Sequence, residues 1–213
     1  MDNFKEKLEA RNKSKFGRWV RFYDNLFYWI FFKKIYEKVI DIFDKELVIL
    51  PNQVVMDVAC GTGEIIYRLF KKYPNFKFFG IDLTPEMVLA AKVKNSENKN
   101  VKIIEGRVEA IPLEDGGADV LICTDAFHHF ADGEAAAREF ARILKVGGKV
   151  LLADPPAKAG FKGKVFDFFG RLIDAYNKLY SHEEVVSVFE SSGFKFVKAD
   201  EFYFHKFFIF EKI

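Results

Sequence analysis

The chain is poor in sulfur and has no long greasy stretch, and each shortage removes a class of protein. Two cysteines, Cys60 and Cys123, are too few for a disulfide framework or a cysteine-rich zinc site, and the four histidines lack the His-Glu-x-x-His spacing of a zinc helix. A metal-independent protein of the cytoplasm is the expectation. The longest apolar run, Leu26 to Phe32, falls far short of the roughly 20 residues that cross a bilayer as helix, so no membrane-spanning segment is expected. The opening MDNFKEKLEARNKSK is charged throughout and lacks the apolar centre of a secretory signal. Net charge is scarce too: 33 Lys and Arg stand against 31 Asp and Glu, which excludes a charged disordered tail and a generally basic nucleic-acid coat.

What is abundant is phenylalanine. It fills 26 of 213 positions, and aromatics reach 17%, more than an adequate core needs, so flat apolar surface with a use of its own is expected. The length predicts one domain with an appendage, at about 150 residues per domain. Residues 1–50 read as an aromatic helical extension, a cover or cap, with Trp19, Phe22, Tyr23, Leu26, Ile30, Ile35, Val39, Ile42 and Phe43 recurring at spacings of three and four. Eight Lys or Arg against two acids over residues 11–38 suit an anionic acceptor or peripheral contact with a membrane surface. Helical packing of that stripe onto the sheet is the alternative reading.

Beyond Pro51 and Asn52 the texture changes. Strands are predicted at 54–58, 76–81, 101–106, 119–124 and 149–154, with helices near 64–73, 85–93 and 133–145 between them. Each strand is almost continuously apolar, as expected where helices cover both faces of a parallel sheet. Residues 51–213 therefore form a doubly wound α/β domain, interrupted at 157–180 by a Phe-rich helical insertion with glycine hinges. A helix from Ser181 to Ser192 opens with a capping-box pattern, and two strands follow, turning around Lys198 to Glu201.

The most informative peptide is Asp57-Val58-Ala59-Cys60-Gly61-Thr62-Gly63, which ends a strand and opens a helix. Glycine permits a tight turn and lets a ligand press on the backbone, and the helix start offers N–H groups. Asp82 closes the next strand, where an acid meets a ribose diol. A dinucleotide fold wants a third glycine where this chain has Ile66, and Asp57 and Glu64 put negative charge where a pyrophosphate would lie. A cationic, phosphate-free nucleoside such as S-adenosylmethionine suits these residues better. Cys60 and Cys123 end neighbouring strands and read as small space-filling residues.

With these residues in view, the sequence resembles the class I S-adenosylmethionine-dependent methyltransferases, in the ubiquinone/menaquinone-biosynthesis-like group of small-molecule enzymes. The resemblance rests on VVMDVACGTGEI, GIDLTPEMV, EAIPLEDGGADVLICTDAFHHF, LKVGGKVLLADP and YSHEEVVSVFESSGF, in that order. It implies a Rossmann-like, doubly wound, seven-stranded sheet in the order 3-2-1-4-5-7-6 with strand 7 antiparallel. It also implies that Asp57, Gly61 and Gly63 line the methionine end, that Asp82 binds the ribose, that Leu83 and Met87 border the adenine, and that Ala59, Cys60 and Thr124 are further cofactor-binding residues. Arg107-Val108 stands where the group commonly has an acid and a small residue, so either Glu109 takes over that polar contact or Arg107 stacks on the ring.

Asp125, His128 and His129 follow the fourth strand and have the chemistry to deprotonate a hydroxyl acceptor; holding the loop by hydrogen bonds is the competing role for both histidines. His182 and His205 read as a capping-turn residue and a strand-surface residue. Methyl transfer by in-line displacement to a small, partly apolar acceptor is the implied activity, and a noncatalytic subunit of the same fold is the alternative. No nucleic-acid partner is expected, since no Asn-Pro-Pro-aromatic motif ends the fourth strand. The sequence carries no signal of oligomeric state.

Overall fold

Seven strands lie in the order β3-β2-β1-β4-β5-β7-β6, built from β1 (Val54–Val58), β2 (Lys77–Asp82), β3 (Val101–Glu105), β4 (Ala118–Thr124), β5 (Leu144–Asp154), β6 (Phe194–Phe202) and β7 (His205–Lys212). The first five run parallel, and β7 is antiparallel to both β5 and β6. This computed structural model describes residues 26–47, 51–157 and 177–213, with residues 6, 7, 10, 11, 13, 14 and 17 near the start; for 26–31 it describes the backbone alone. The stripe residues Trp19, Phe22 and Tyr23 and nearly all of the 157–180 insertion lie outside the described residues.

Every residue of β4 from Ala118 to Cys123 is buried, because helices cover the sheet on both sides. Val120 and Ile122 point to one face and Leu121 and Cys123 to the other, as the strand's two-residue period requires. On the first face lie α1 (Leu26–Ile42, continuing as a π-helical turn through Phe43–Leu47), α2 (Glu64–Lys72) and α3 (Pro85–Lys94). On the second lie α4 (Gly133–Ile143) and α5 (His182–Ser191). Ser181 caps α5 in the expected box, accepting from the Glu184 N–H while Glu184 accepts from the Ser181 N–H. The two cysteines belong to opposite faces, Cys60 beside α2 and Cys123 beside α4 and α5, so they fill space separately.

Phenylalanine makes much of this core. Phe43, Phe78, Phe127, Phe140, Phe189, Phe194, Phe207 and Phe210 are fully buried, and Phe189 stacks on Phe210 with ring centres 4.3 Å apart. A large part of the aromatic excess is therefore interior packing.

The described half of the N-terminal zone is built into the same interior. Ile35, Val39, Ile42, Phe43 and Leu47 are buried against α2 and the sheet, and ion pairs Lys38–Asp200 (2.6 Å) and Lys198–Glu46 (2.5 Å) tie this helix to β6. These pairs also explain where the hairpin differs from expectation. Lys198, Asp200 and Glu201 resemble a turn in sequence, but they are exposed residues of an edge strand paired with Glu46, Lys38 and Lys206. The chain reverses at Tyr203 and Phe204, with Tyr203 at φ 57°. Strand β5 likewise starts earlier than expected, at Leu144, directly after α4, and rejoins β4 through a register shift between Ala118 and Val120.

Truncating a buried ring in the N-terminal helix measures how far that helix belongs to the core. Phe43→Ala is expected to lower the unfolding free energy by about 3–5 kcal/mol, read as a lower urea midpoint in a single transition. A loss under ~1 kcal/mol would mean that this helix is an independently detachable appendage.

Candidate active site

The strand order reverses between β1 and β4, and ligands of doubly wound sheets bind at the carboxyl ends of the strands flanking such a point. A cleft opens there. Of the residues expected at the site, Asp57, Ala59, Cys60, Gly61, Asp82, Leu83, Met87, Arg107, Val108, Glu109, Thr124, Asp125 and His129 line it. Gly63 and His128 do not. Tyr36, Thr62, Ile65, Thr84, Ala126, Phe130 and Ala131 line it without having been singled out, and so does Glu64, noted in the sequence only for its charge. All but Tyr36 and Ala131 fall inside the glycine, ribose and fourth-strand motifs, and Ala131 directly follows the last of them, so their position was implicit there. Tyr36 comes from α1, where it adjoins the buried stripe and nothing local marks it.

The glycine loop takes its shape from three alternate left-handed residues, Ala59 (φ 54°), Gly61 (φ 53°) and Gly63 (φ 71°). A Cβ on Gly61 would meet no atom within 4 Å, because the space beside it is open. Gly63 serves packing instead: a Cβ there would come within 2.8 Å of Asn95 Nδ2 and 3.0 Å of Ala91, pushing α2 off α3. Three of the loop's amides are already engaged. Cys60 N–H donates to Ile81 O (3.0 Å), Gly61 N–H to Asp82 Oδ2 (2.9 Å) and Gly63 N–H to Cys60 O (2.9 Å), so these groups form no cradle for a phosphate.

Two acids dominate the floor. Asp57 is 2% exposed, and its Oδ2 has no hydrogen-bond partner among the described residues. Burial, reinforced by Asp82, holds its carboxyl well above the usual carboxylate range. Asp82 is 8% exposed and is also raised by burial, tempered by backbone N–H groups of Thr84 (2.8 Å to Oδ1) and Gly61. Thr124 Oγ1, at the end of β4, is a further buried polar atom without a partner. Glu64, by contrast, is neutralised: burial would raise it, but hydrogen bonds from Lys94 and Arg68 (each 2.8 Å) outweigh that and hold it low. Its charge therefore does not repel a phosphate, and the engaged loop amides and missing third glycine carry that argument instead. At the other end of the cleft Arg107 and Glu109 form an ion pair at 3.7 Å. Both thiols are pushed up, Cys60 by burial and then Asp57 and Asp82, Cys123 by burial and then Asp154, so neither is a ready nucleophile.

Two acid–histidine pairs adjoin the fourth strand. Asp154 is saturated, accepting backbone N–H bonds from Ala126 (3.1 Å) and His128 (3.0 Å) and facing His128 Nδ1 at 3.0 Å from both oxygens. It braces the loop behind the cleft. Asp125 lines the cleft, and its Oδ1 lies 3.1 Å from His205 Nε2. His205 is therefore a buried partner of the site rather than the strand-surface residue expected from sequence. Asp125, His128 and Asp154 also lie within metal-ligand reach of one another, but the oxygens of Asp154 are occupied by the bonds just named.

A sheet of this order with an acidic, phosphate-averse nucleoside cleft defines the S-adenosylmethionine-dependent methyltransferases. Residues 49–193 match the methyltransferase domain family, and the chain belongs to it. It is 33% identical over 117 residues to demethylmenaquinone methyltransferase of Deinococcus radiodurans, covering 54% of this chain and 48% of that protein. The enzyme of the same name from Thermus thermophilus is 32% identical over 130 residues, covering 60% and 59%. The chain thus spans about half to three-fifths of the length of these two relatives. The crystal structure of YcgJ from Bacillus subtilis superimposes with a TM-score of 0.70 at 27% identity, covering 78% of this chain and 71% of that one.

Asp82→Ala is expected to weaken nucleoside binding at least tenfold more than Arg107→Ala, since it removes charge-assisted acceptors worth about 1.5–3 kcal/mol each and unties the glycine loop. Calorimetric titration with S-adenosylhomocysteine reads both variants, and equal losses would overturn the assignment. Asp57 gives a prediction of opposite sign for stability. Its raised carboxyl means that the folded state holds a proton more tightly than the unfolded one, so this group's contribution is fully present below the ordinary carboxylate range and is lost as pH rises from there through the raised value of the folded state. Asp57→Asn should raise the urea midpoint of the ligand-free protein at neutral pH while weakening nucleoside binding. A destabilised variant that still binds would refute both halves.

Proposed function

We propose that the chain binds S-adenosylmethionine in this cleft and directs its methyl group to a small, largely apolar acceptor of the hydroquinone class. The observation that carries the reading is the buried Asp57 oxygen without a partner. An ionised acid in such a place is costly unless a cation meets it, and the ligand's α-ammonium is a cation of suitable size. Asp82 stands in the cleft where a ribose diol would lie, Thr124 Oγ1 awaits a polar group, and Leu83, Met87 and Val108 offer apolar walls for the base. Arg107 and Glu109 stand at the base's edge as a pair, so the family's usual acid is replaced there by a dipolar contact. When bound, the ligand's sulfonium supplies an electrophilic methyl group.

The chain's own contribution is position and dryness. Phe130, Ala131, Ala126 and Tyr36 give the remaining wall an apolar character that excludes water and suits a flat ring, and Asp125 and His129 stand among them. The demethylmenaquinone methyltransferases among the relatives are named for an acceptor of this kind, and they support the class proposed here. The N-terminal zone approaches the cleft from two sides. Tyr36 lines it near α2, and Gly17 lies against the first turn of α3, where a Cβ would come within 2.9 Å of the Glu86 carboxyl carbon. This placement supports a covering role for the zone in addition to its packing. No helix among the described residues is long and apolar enough to cross a membrane, and the basic excess over residues 11–38 supports peripheral contact with the lipid that holds such acceptors.

S-adenosylmethionine, but not NAD, should bind and stabilise the protein. At 100 times its dissociation constant a ligand adds about 2.7 kcal/mol, a shift of a few degrees in a thermal melt. Reduced demethylmenaquinone with a short isoprenoid tail, incubated with the protein and S-adenosylmethionine, should gain one methyl group by mass spectrometry. Stabilisation by NAD alone would overturn the cofactor assignment, and binding of S-adenosylmethionine without methylation of this quinol would overturn the acceptor class.

A further inference from the structure

His205 is the first residue of β7 and is 2% exposed, with the rings of Phe204 and Phe207 beside it. Its position is fixed by the ladder that sets Ala153 opposite Phe207 and Asp154 opposite Lys206. The same Ala153 accepts the Asp125 N–H at 2.7 Å, so one segment of β5 holds both partners of the Asp125–His205 pair. Asp125 has φ 54°, an uncommon conformation for a residue with a side chain, and one that persists only where surrounding contacts enforce it. His205 Nδ1 is buried without a hydrogen-bond partner among the described residues. A doubly protonated ring would bury an N–H with no acceptor there, whereas a neutral ring carrying its proton on Nε2 donates to Asp125 and leaves only a lone pair behind. The other acid–histidine pair, Asp154 with His128, lines no part of the cleft.

We infer that Asp125 is the base that takes the acceptor's proton and that His205, contributed by the antiparallel hairpin, is the positioning residue that aims and anchors its carboxylate. The inference rests on the methyl-transfer reading and narrows it to acceptors whose nucleophile must lose a proton. In that step the acceptor O–H bond breaks, its electron pair stays on the acceptor, and the hydrogen bonds to a carboxylate oxygen of Asp125, which later releases it to solvent. His205 keeps its own proton throughout. Its N–H stabilises the ionised carboxylate before the step, so that Asp125 enters as base rather than acid.

The test uses the full chain with reduced demethylmenaquinone as probe and the variants H205L, H205Q, D125N and the double variant D125N/H205L. Loss of the base is expected to lower kcat roughly 100-fold in D125N, and loss of its anchor about tenfold in H205L, with KM and S-adenosylmethionine affinity within about twofold of the unaltered protein. Glutamine can present an N–H near the position of Nε2, so H205Q should recover most of the loss. The double variant should be no slower than D125N alone, because an anchor without its base has nothing to hold. Wild-type turnover in H205L, glutamine failing as leucine does, or losses that multiply would each overturn the inference. Long-range 1H–15N spectra of the histidine rings test the pair without any acceptor and with the unaltered fold. A neutral His205 protonated at Nε2, whose signal moves in D125N, supports it; a ring protonated at Nδ1 or at both nitrogens overturns it. Should the quinol go unmethylated, the acceptor class fails while the ring spectra still decide the pair.

Discussion

The site depends on one carboxylate that joins two loops. Asp82 accepts from Gly61 at the end of the first strand and from Thr84 at the start of α3, so the glycine loop and the ribose loop are held as a single surface. This bond explains why the loop can afford three left-handed residues, and why its amides face inward. It also sets the electrostatic character of the cleft. With Asp82 buried and Asp57 beside it, the floor is a pair of acids reluctant to ionise alone, so a bound cation is favoured there and a phosphate is not.

How much of this was legible follows from how local each feature is. The strand ends, the glycine motif and Asp82 lie within short peptides whose chemistry is self-contained, and the parallel strands appear within a few residues of where apolar runs place them. The hairpin turn was misplaced because Lys198, Asp200 and Glu201 look like turn residues until Lys38 and Glu46, far away in sequence, turn out to face that strand. Tyr36 and His205 went unrecognised for the same reason. Each reaches its place through packing across the sheet, and a single histidine opening an apolar strand carries no mark of its partner. Glu64 misled in the other direction, since its charge was visible but Arg68 and Lys94 that quench it were not.

Phenylalanine illustrates a related ambiguity. Composition shows an excess but not a location, and the same count fits a core or a cover. The described rings resolve largely into two packed layers, one on each side of the sheet, with Phe189 and Phe210 stacked between α5 and β7. Such rings stiffen the hairpin that carries His205, so packing and chemistry are coupled through the same strand.

The position of β7 bears on how the protein is made. This strand is threaded between β5 and β6, yet it is translated after both. While it is still inside the ribosome, β5 and β6 each present an unpaired edge of N–H and C=O groups, open to pairing with another nascent chain. The same interval leaves Asp125 without His205, so the loops that follow β1 and β2 can form before this pair does. Completion of the sheet and completion of the site thus coincide in a single late event, the insertion of one strand.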